Sequence, residues 1–352
     1  TIFKALQHKK FIKEYDPKSL AKLNFSRCGR TDKGVSAINQ VISLDLRSCF
    51  KTQEEIDNRD NDAKEINYIK ALNSTLPSDV WLHSVSLNCD SSFDARFSCV
   101  SRQYRYYFKL EKHMNLEAMR EGCRNFVGPD KDFRNFCKID GSKQIISFKR
   151  SVSHCDIILV NEAEQVYCLD LIGSAFLWHQ VRCMMAVLFE IAEGHEQPSI
   201  INDLMDPEKY PSKPDYPFAS DTPLVLYDCM FKDEDKIKWM RTTDFENGNE
   251  SLGFKRVKND TVYSLYYDEL IKLEMSKNLI KFVAPACLNF DDENRKVSFD
   301  LDVYGSNYIN LGDGKHKKSS KIVPFVKRNR QRAFEEVNKK WLDKKKAKKE
   351  SS

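Results

Sequence analysis

The sequence predicts an α+β fold built from two domains and a C-terminal extension, and three observations predict it. Strand-like apolar runs alternate with segments of helical spacing over residues 1–112, and again over residues 113–231. A chain of 352 residues exceeds a single typical domain of about 100–200. From residue 232 to residue 352 the text turns polar and then basic, which sets off the extension.

In chain order, residues 3–13 predict a helix. Leu23–Phe25 and Val41–Leu46 predict strands on either side of a loop. The charged stretch Asp57–Lys64 predicts a mobile loop. Ile66, Ile69, Leu72 and Leu76 recur at helical spacing until Pro77 ends the helix. Val80–Leu87 and the aromatic run Tyr104–Phe108 predict strands. In the second domain, a helix over Asn115–Phe126 is stopped by Gly128-Pro129. Strands over Ile145–Val160 and Val166–Ile172 are separated by the polar turn Asn161–Gln165. Ala175–Glu193 predicts the longest helix of the chain, with Gly194 at its C-cap, and Pro223–Phe231 a closing strand. Beyond it, Asp233–Asn259 is polar and irregular. Leu265–Val283 predicts a helix, and Arg332–Lys346 a solvated one.

Composition narrows the function classes. Hydrophobic residues at 41% can fill real cores, and no apolar run approaches the roughly 18–20 residues of a membrane span. The opening Thr1–Leu6 reads as the inside of an amphipathic helix and not as a signal peptide, and a first residue other than Met predicts that the true N-terminus lies upstream. The 11 cysteines include no C-x-x-C pair, which predicts free thiols in a reducing compartment, cytosol or nucleus. The 7 histidines are dispersed, so no metal site is expected. The net charge of +5 hides an asymmetry: Lys315–Glu350 holds 15 Lys and Arg against four acidic residues. A basic tail on a mildly acidic body suits a polyanionic partner, and equally a solubilising or nuclear-targeting tail.

Three stretches carry candidate chemistry. In Gly29-Arg30-Thr31-Asp32-Lys33-Gly34-Val35, a short carboxylate sits on a loop between strands, flanked by Arg30 and Lys33, whose charge favours the carboxylate form. Such a group can act as nucleophile, general base or metal ligand, although Asp-x-Gly is also an ordinary turn. Phe93–Arg96 is followed by Arg102-Gln103-Tyr104-Arg105-Tyr106, where arginines interleaved with tyrosines can pair with phosphates and stack on bases. The same strand could instead pack its tyrosines inward and turn its arginines to water. In Phe176-Leu177-Trp178-His179-Gln180-Val181-Arg182, His179 and Arg182 at i, i+3 would share one face of an otherwise apolar helix. Asp32 is the expected partner of that pair. The other reading is an exposed Arg182 whose stem covers apolar surface.

These elements, in this order, resemble the TruA family of tRNA pseudouridine synthases. GRTDKGVSA at Gly29–Ala37, the FDAR and RQYRY segments and the FLWHQVR stretch match the family's motifs, and the resemblance runs from about Thr1 to Phe231. SRCGRTDKGVSA with VISLDLRS, Lys315-His316 and the IVPFVKR stretch at Ile322–Arg328 are most similar to the eukaryotic enzymes for positions 38 and 39 of the anticodon stem-loop. Members open with a strand carrying a glycine-rich segment before the first helix. This sequence opens inside that helix, so its first sheet is expected to lack a strand.

The resemblance implies two ferredoxin-like (RRM-like) domains whose antiparallel sheets join around a central basic cleft. It implies isomerisation of uridine to pseudouridine without a cofactor. Asp32 would be the essential carboxylate, attacking C1′ or removing the 2′ proton. Arg182 would pair with it, and Tyr104 would stack on the target uracil. Arg30 would prop the flipped nucleotide, and Lys33, Arg96, Arg105 and His179 would bind the RNA. It further implies a homodimer that binds tRNA across both subunits, resident in nucleus and cytoplasm. Two other classes stay open: a sibling synthase acting at positions such as 27 and 28, and a tRNA-binding chaperone that would not require Asp32.

Overall fold

A computed structural model describes residues 1–13, 22–87, 89–90, 92–232, 237–246, 252–283, 288–291, 296–299 and 307–350. Its elements run α1 (Ile2–His8), β1 (Ser26–Arg27), β2 (Ser36–Ala37), β3 (Ile42–Ser43), α2 (Gln53–Asp57), α3 (Tyr68–Asn73), β4 (Cys99–Lys109), α4 (Leu116–Phe126), β5 (Gly128–Asp132), β6 (Lys149–Asn161) and β7 (Val166–Gly173). They continue with α5 (Gln180–Ala192), α6 (Ile200–Met205), β8 (Leu224–Phe231), α7 (Leu252–Val283), β9 (Leu288–Asp291), β10 (Lys296–Phe299), β11 (Tyr308–Asn310), β12 (His316–Lys318) and α8 (Phe334–Glu350). Among the described residues, no helix is long and apolar enough to cross a membrane.

Contacts divide the chain into two compact units. One comprises residues 1–28, 41–99 and 231–282, the other 29–40, 100–230 and 283–352. β4 lies almost wholly in the second unit, although its sequence belongs to the 1–112 stretch.

The first unit is built on the short antiparallel pair β1–β3 and on a core of Leu6, Phe11, Tyr68, Ile69, Leu72 and Phe245. Three expectations change here. The strand before the loop is Ser26–Arg27 and not Leu23–Phe25, because Asn24 takes a left-handed φ of 47° and breaks the extended run. Val80–Leu87 forms no strand; its one ladder contact is the bridge from Val85 to Met240. The charged stretch expected to be a mobile loop is a 3₁₀ helix over Arg59–Lys64. The Asn58 side chain caps it, and Asp62 is buried beside Arg59 Nε at 3.2 Å. Of the stretch expected to be irregular, residues 252–259 are helical, while 233–236 and 247–251 lie outside the described residues.

The second unit carries a six-stranded sheet in the order β2–β8–β4–β7–β6–β5. It is mixed and not wholly antiparallel, because β2 pairs with β8 in parallel. Along β4 the side chains alternate. Tyr104, Tyr106 and Phe108 enter the core, while Gln103 and Arg105 turn to the opposite face. The core face is covered by α4, with Met119, Cys123 and Phe126, and by α5, with Met184, Met185, Leu188, Phe189 and Ile191. Burying side chains of this size contributes about 1.5–3 kcal/mol each. The Asn115 side chain caps α4 by accepting from Ala118 N–H, and Gly194 at φ 75° closes α5 by donating to Ile191 O at 3.0 Å.

The basic segment expected to be a tail is folded through residue 341. The β11–β12 hairpin lays Leu311 O against Tyr106, whose hydroxyl donates to it at 3.2 Å, and against the Ser220 N–H at 2.7 Å. Phe325 is fully buried on Tyr216, Arg328 Nη1 lies 2.9 Å from Glu190 Oε1, and the Phe334 ring packs on Phe148. Only from Leu342 onward are the residues of α8 continuously exposed. Aromatic burial outweighs the local charge here, which a reading of net charge cannot see.

Gly312 and Gly194 provide a paired test of this packing. Gly312 has φ 85°, and a Cβ there would lie 2.5 Å from Tyr106 Oη and 2.7 Å from Phe189 Cε2. Gly194 has φ 75° with nothing within 4 Å. Gly312→Ala is expected to destabilise by about 3 kcal/mol, backbone strain plus overpacking, and Gly194→Ala by about 1 kcal/mol, strain alone. Urea denaturation of both variants checks the ordering; equal losses would show that the hairpin is not pressed against the core.

Candidate active site

The loop 29–40 is pinned at both ends. The Gln40 side chain accepts from Gly29 N–H at 3.0 Å and donates to Gly29 O at 3.1 Å, so one amide closes the loop. Ser36 and Ala37 then pair with Val225 and Leu226 of β8. Between these anchors, Val35 N–H donates to Asp32 O at 3.1 Å, and Gly34 adopts φ 88°. A Cβ at Gly34 would lie 2.8 Å from Asp221 Cγ, so only glycine lets the loop approach that closely. The turn presents the Asp32 side chain at 34% exposure, accessible but not fully solvated.

The segment after β7 meets this loop. Residues 174–178 are not helical, and α5 begins at Gln180 and not at Ala175. His179 precedes it in the left-handed conformation, at φ 60° and ψ 15°. This turn brings two adjacent side chains onto one carboxylate. Trp178 Nε1–H donates to Asp32 Oδ1 at 3.1 Å, and His179 Nε2 lies 3.2 Å from Asp32 Oδ2. Lys138 lies over the Trp178 ring at 4.6 Å, and the His179 ring packs edge-on against Phe218 at 4.9 Å. Burial pushes the His179 pKa down from its ordinary value. Asp32 opposes that shift, while Arg182 and Lys138 reinforce it.

The expected Asp32–Arg182 pair is not formed. Arg182 Nε donates to Ala219 O at 2.7 Å, and its Nη1 lies 3.7 Å from Asp221 Oδ2. The reason is the late start of α5. His179 and Arg182 do not share a helical face, because the chain turns at His179, and each cation-forming group finds its own carboxylate. Asp221 therefore touches both the Asp32 loop and Arg182.

Tyr104 stands at the edge of this group, its ring 5.0 Å from Phe176 in an edge-to-face contact. Arg102, on the same side of β4, donates to Ser174 O at 2.9 Å. Arg105 does not join them. It faces the other side of the sheet, 3.1 Å from Asp170 Oδ1 and 3.7 Å over the Tyr227 ring, with Gln103 and His154 on the same carboxylate. Arg30 and Lys33 are exposed beside Asp32. Arg96 is exposed on a turn of the first unit, over the Phe97 ring at 5.2 Å.

Sequence reasoning missed Trp178, Asp221, Lys138 and Arg102 as parts of this neighbourhood. Trp178 and Arg102 stood inside motifs already singled out, whereas Ser220-Asp221-Thr222-Pro223 offered only a turn signal and Lys138 none. Chemically, the arrangement is a reachable carboxylate with the Trp178 N–H on one oxygen and His179 Nε2 on the other. Among the described residues, no group of three or more His, Cys, Asp or Glu side chains is arranged to hold a metal ion.

Comparisons with known proteins bear on what such a carboxylate does. A family model described as tRNA pseudouridine synthase matches residues 123–232. The tRNA pseudouridine(38/39) synthase of Saccharomyces cerevisiae is 43% identical over 324 residues, which is 91% of this chain and 66% of that protein. The human protein of the same name is 41% identical over 64% of this chain and 49% of its own length. The tRNA pseudouridine synthase A of Methanothrix thermoacetophila is 32% identical over 61% of this chain and 70% of that protein. The chain thus spans about half the length of the human relative and somewhat under two thirds of the yeast one. With the GRTD loop, the RQYRY strand and the FLWHQVR turn assembled in one unit, and with these identities, the chain belongs to the TruA family of tRNA pseudouridine synthases.

Proposed function

We propose that the protein isomerises uridine to pseudouridine in the tRNA anticodon stem-loop, at positions 38 and 39. The observation that carries this reading is Asp32: a half-exposed carboxylate on a loop pinned at both ends, with each oxygen held by a different N–H group. The names of the yeast and human relatives supply the positions.

The reaction breaks the N1–C1′ glycosidic bond, turns the uracil and joins its C5 to C1′, after which C5 gives up its proton and N1 takes one up. Atoms and electrons balance within the nucleotide, so the chemistry requires no cofactor. Asp32 acts at the sugar, either attacking C1′ or removing the 2′ proton. Tyr104 stacks on the uracil and keeps the detached base in place. The target nucleotide leaves its stack at a cost of a few kcal/mol, and phosphate contacts from exposed Arg30 and Lys33 offset that. Arg182 acts on the site through Asp221 and the Ala219 carbonyl. The same reading carries two ferredoxin-like halves, a homodimer that holds the tRNA with both subunits, and residence in nucleus and cytoplasm.

Asp32→Asn keeps the size of the side chain and an acceptor for Trp178 but removes the charge. It is expected to abolish pseudouridine formation in tRNA while binding stays within a few fold. The assay uses anticodon stem-loops with uridine at 38, 39, 27 or 28. Turnover near wild type in the variant would remove Asp32 from the chemistry, and modification confined to 27 and 28 would reassign the target.

The end of α8 provides a separate test of RNA contact. Deleting residues after Asp343 removes Lys344, Lys345, Lys346, Lys348 and Lys349, all exposed, and leaves Phe325 and Phe334 in place. If these lysines reach phosphates, the slope of log K against log salt flattens by roughly 0.7–0.9 per lost contact. Identical slopes across a salt series would place the RNA footprint elsewhere.

A further inference from the structure

We propose that His179 is the positioning residue of Asp32: its neutral imidazole, with the proton on Nε2, donates to one carboxylate oxygen and, with Trp178, fixes the orientation in which Asp32 meets the ribose. This rests on the catalytic reading of Asp32 and extends it. It also reassigns His179, which the sequence placed among the RNA-binding residues.

The backbone supplies the first argument. His179 sits at φ 60°, a region that side chains with a Cβ enter seldom and at a cost. It occupies the N-cap of α5, yet its side chain makes no capping hydrogen bond. An Asn or Asp would enter the same left-handed backbone more readily. The strain is therefore not repaid within α5. What the turn achieves is the placement of the imidazole against Asp32.

The ring supplies the second. The side chain is 11% exposed, between Trp178 at 4.8 Å and Phe218 at 4.9 Å. Nε2 lies 3.2 Å from Asp32 Oδ2, and Nδ1 is buried with no hydrogen-bond partner among the described residues. A proton on Nδ1 would be a buried donor without an acceptor, and Nε2 would then turn a lone pair onto the carboxylate. Both faults disappear when the proton sits on Nε2 alone. The charged groups around the ring are Asp32 and Asp221, which favour a second proton, and Arg182 and Lys138, which oppose it. Burial, reinforced by Arg182 and Lys138, outweighs the two carboxylates and holds the pKa below its ordinary value.

The chemical consequence follows. A carboxylate held on both oxygens by groups of a packed turn is fixed in orientation before the ribose arrives, so less of its freedom is lost on the way to the reacting geometry.

The test compares His179→Gly, His179→Gln and Asp32→Asn on full-length protein with a uridine-containing anticodon stem-loop, in single-turnover and steady-state assays with thermal melts. Glycine accepts the left-handed backbone, so His179→Gly is expected to melt no lower than wild type while kcat falls on the order of 100-fold and KM shifts less than threefold. Glutamine restores an N–H at the Nε2 position, and His179→Gln should recover at least tenfold over glycine. The wild-type rate should fall as pH drops through a pKa below 6.5, because protonation abolishes the neutral form, and this limb should be absent in His179→Gln. Full turnover in His179→Gly, or a loss of melting temperature with an unchanged rate, overturns the proposal. Should His179→Gly fail to fold, the missing acid limb and the retained rate in His179→Gln decide it. If Asp32→Asn is inactive and His179→Gly fully active, only the positioning role fails; if Asp32→Asn is active, the reading beneath it fails too.

Discussion

Asp221 stands where a side chain at position 34 would have to be, and the site is organised around that exclusion. Because Gly34 leaves the space empty, the Asp32 loop can lie against Asp221, which also faces the Arg182 guanidinium. One residue back, Ser220 donates its N–H to Leu311 O and its hydroxyl to Asp313 Oδ2 at 2.8 Å. Ala219 O takes the Arg182 Nε–H, and Ala219 N–H returns to Arg182 O at 3.2 Å. Three consecutive residues thus tie together a loop, a helix and a hairpin that are far apart in sequence. A side chain added at position 34 would disturb all three at once.

The aromatic packing behind this segment works in the same direction. Phe218 meets the His179 ring on one side and lies within 5.0 Å of Lys213 Nζ on another. Lys213 is almost wholly buried, its ammonium 3.4 Å from the Tyr216 ring centre and bonded to Tyr216 O at 3.3 Å. Burial pushes its pKa down. Cation–π contact and a carbonyl stand in for the counter-ion that a buried ammonium ordinarily needs. The His179 ring at Asp32 is therefore backed by a packed layer, whereas Trp178, on the other oxygen, is 40% exposed.

Much of this was legible in the sequence wherever one periodicity governed a stretch. The apolar spacing of α4 was visible because it buries one face, and the continuous run of β7 because it is buried on both faces of the sheet. Asp32 stood out because its loop lies between two short apolar runs and is followed, in order, by the RQYRY and FLWHQVR stretches. The expected contact between Arg182 and Asp32 is replaced by one with Asp221 for a physical reason. FLWHQVR has helical composition, but a left-handed residue at His179 ends the periodicity one residue before the helix begins, and no propensity scale registers a strained φ. The C-terminal segment was misread because fifteen basic residues mask two anchors, Phe325 and Phe334, and because Lys315 and Arg328 are paired with Asp313 and Glu190. Net charge counts those cations as free, although their pairing is tertiary.

The hairpin around Gly312 also sets an order of events during synthesis. Ser220 and Tyr106 leave the ribosome well before Leu311, and at about 5–20 residues per second the delays are roughly 5–20 s and roughly 10–40 s. Until then the Ser220 N–H and the Tyr106 hydroxyl lack their final acceptor, and the wall behind Arg182 is unsupported. A nascent chain that already displays the GRTD loop thus still lacks part of the support behind Arg182. Translation must run almost to α8 before the molecule can hold its carboxylate in working order.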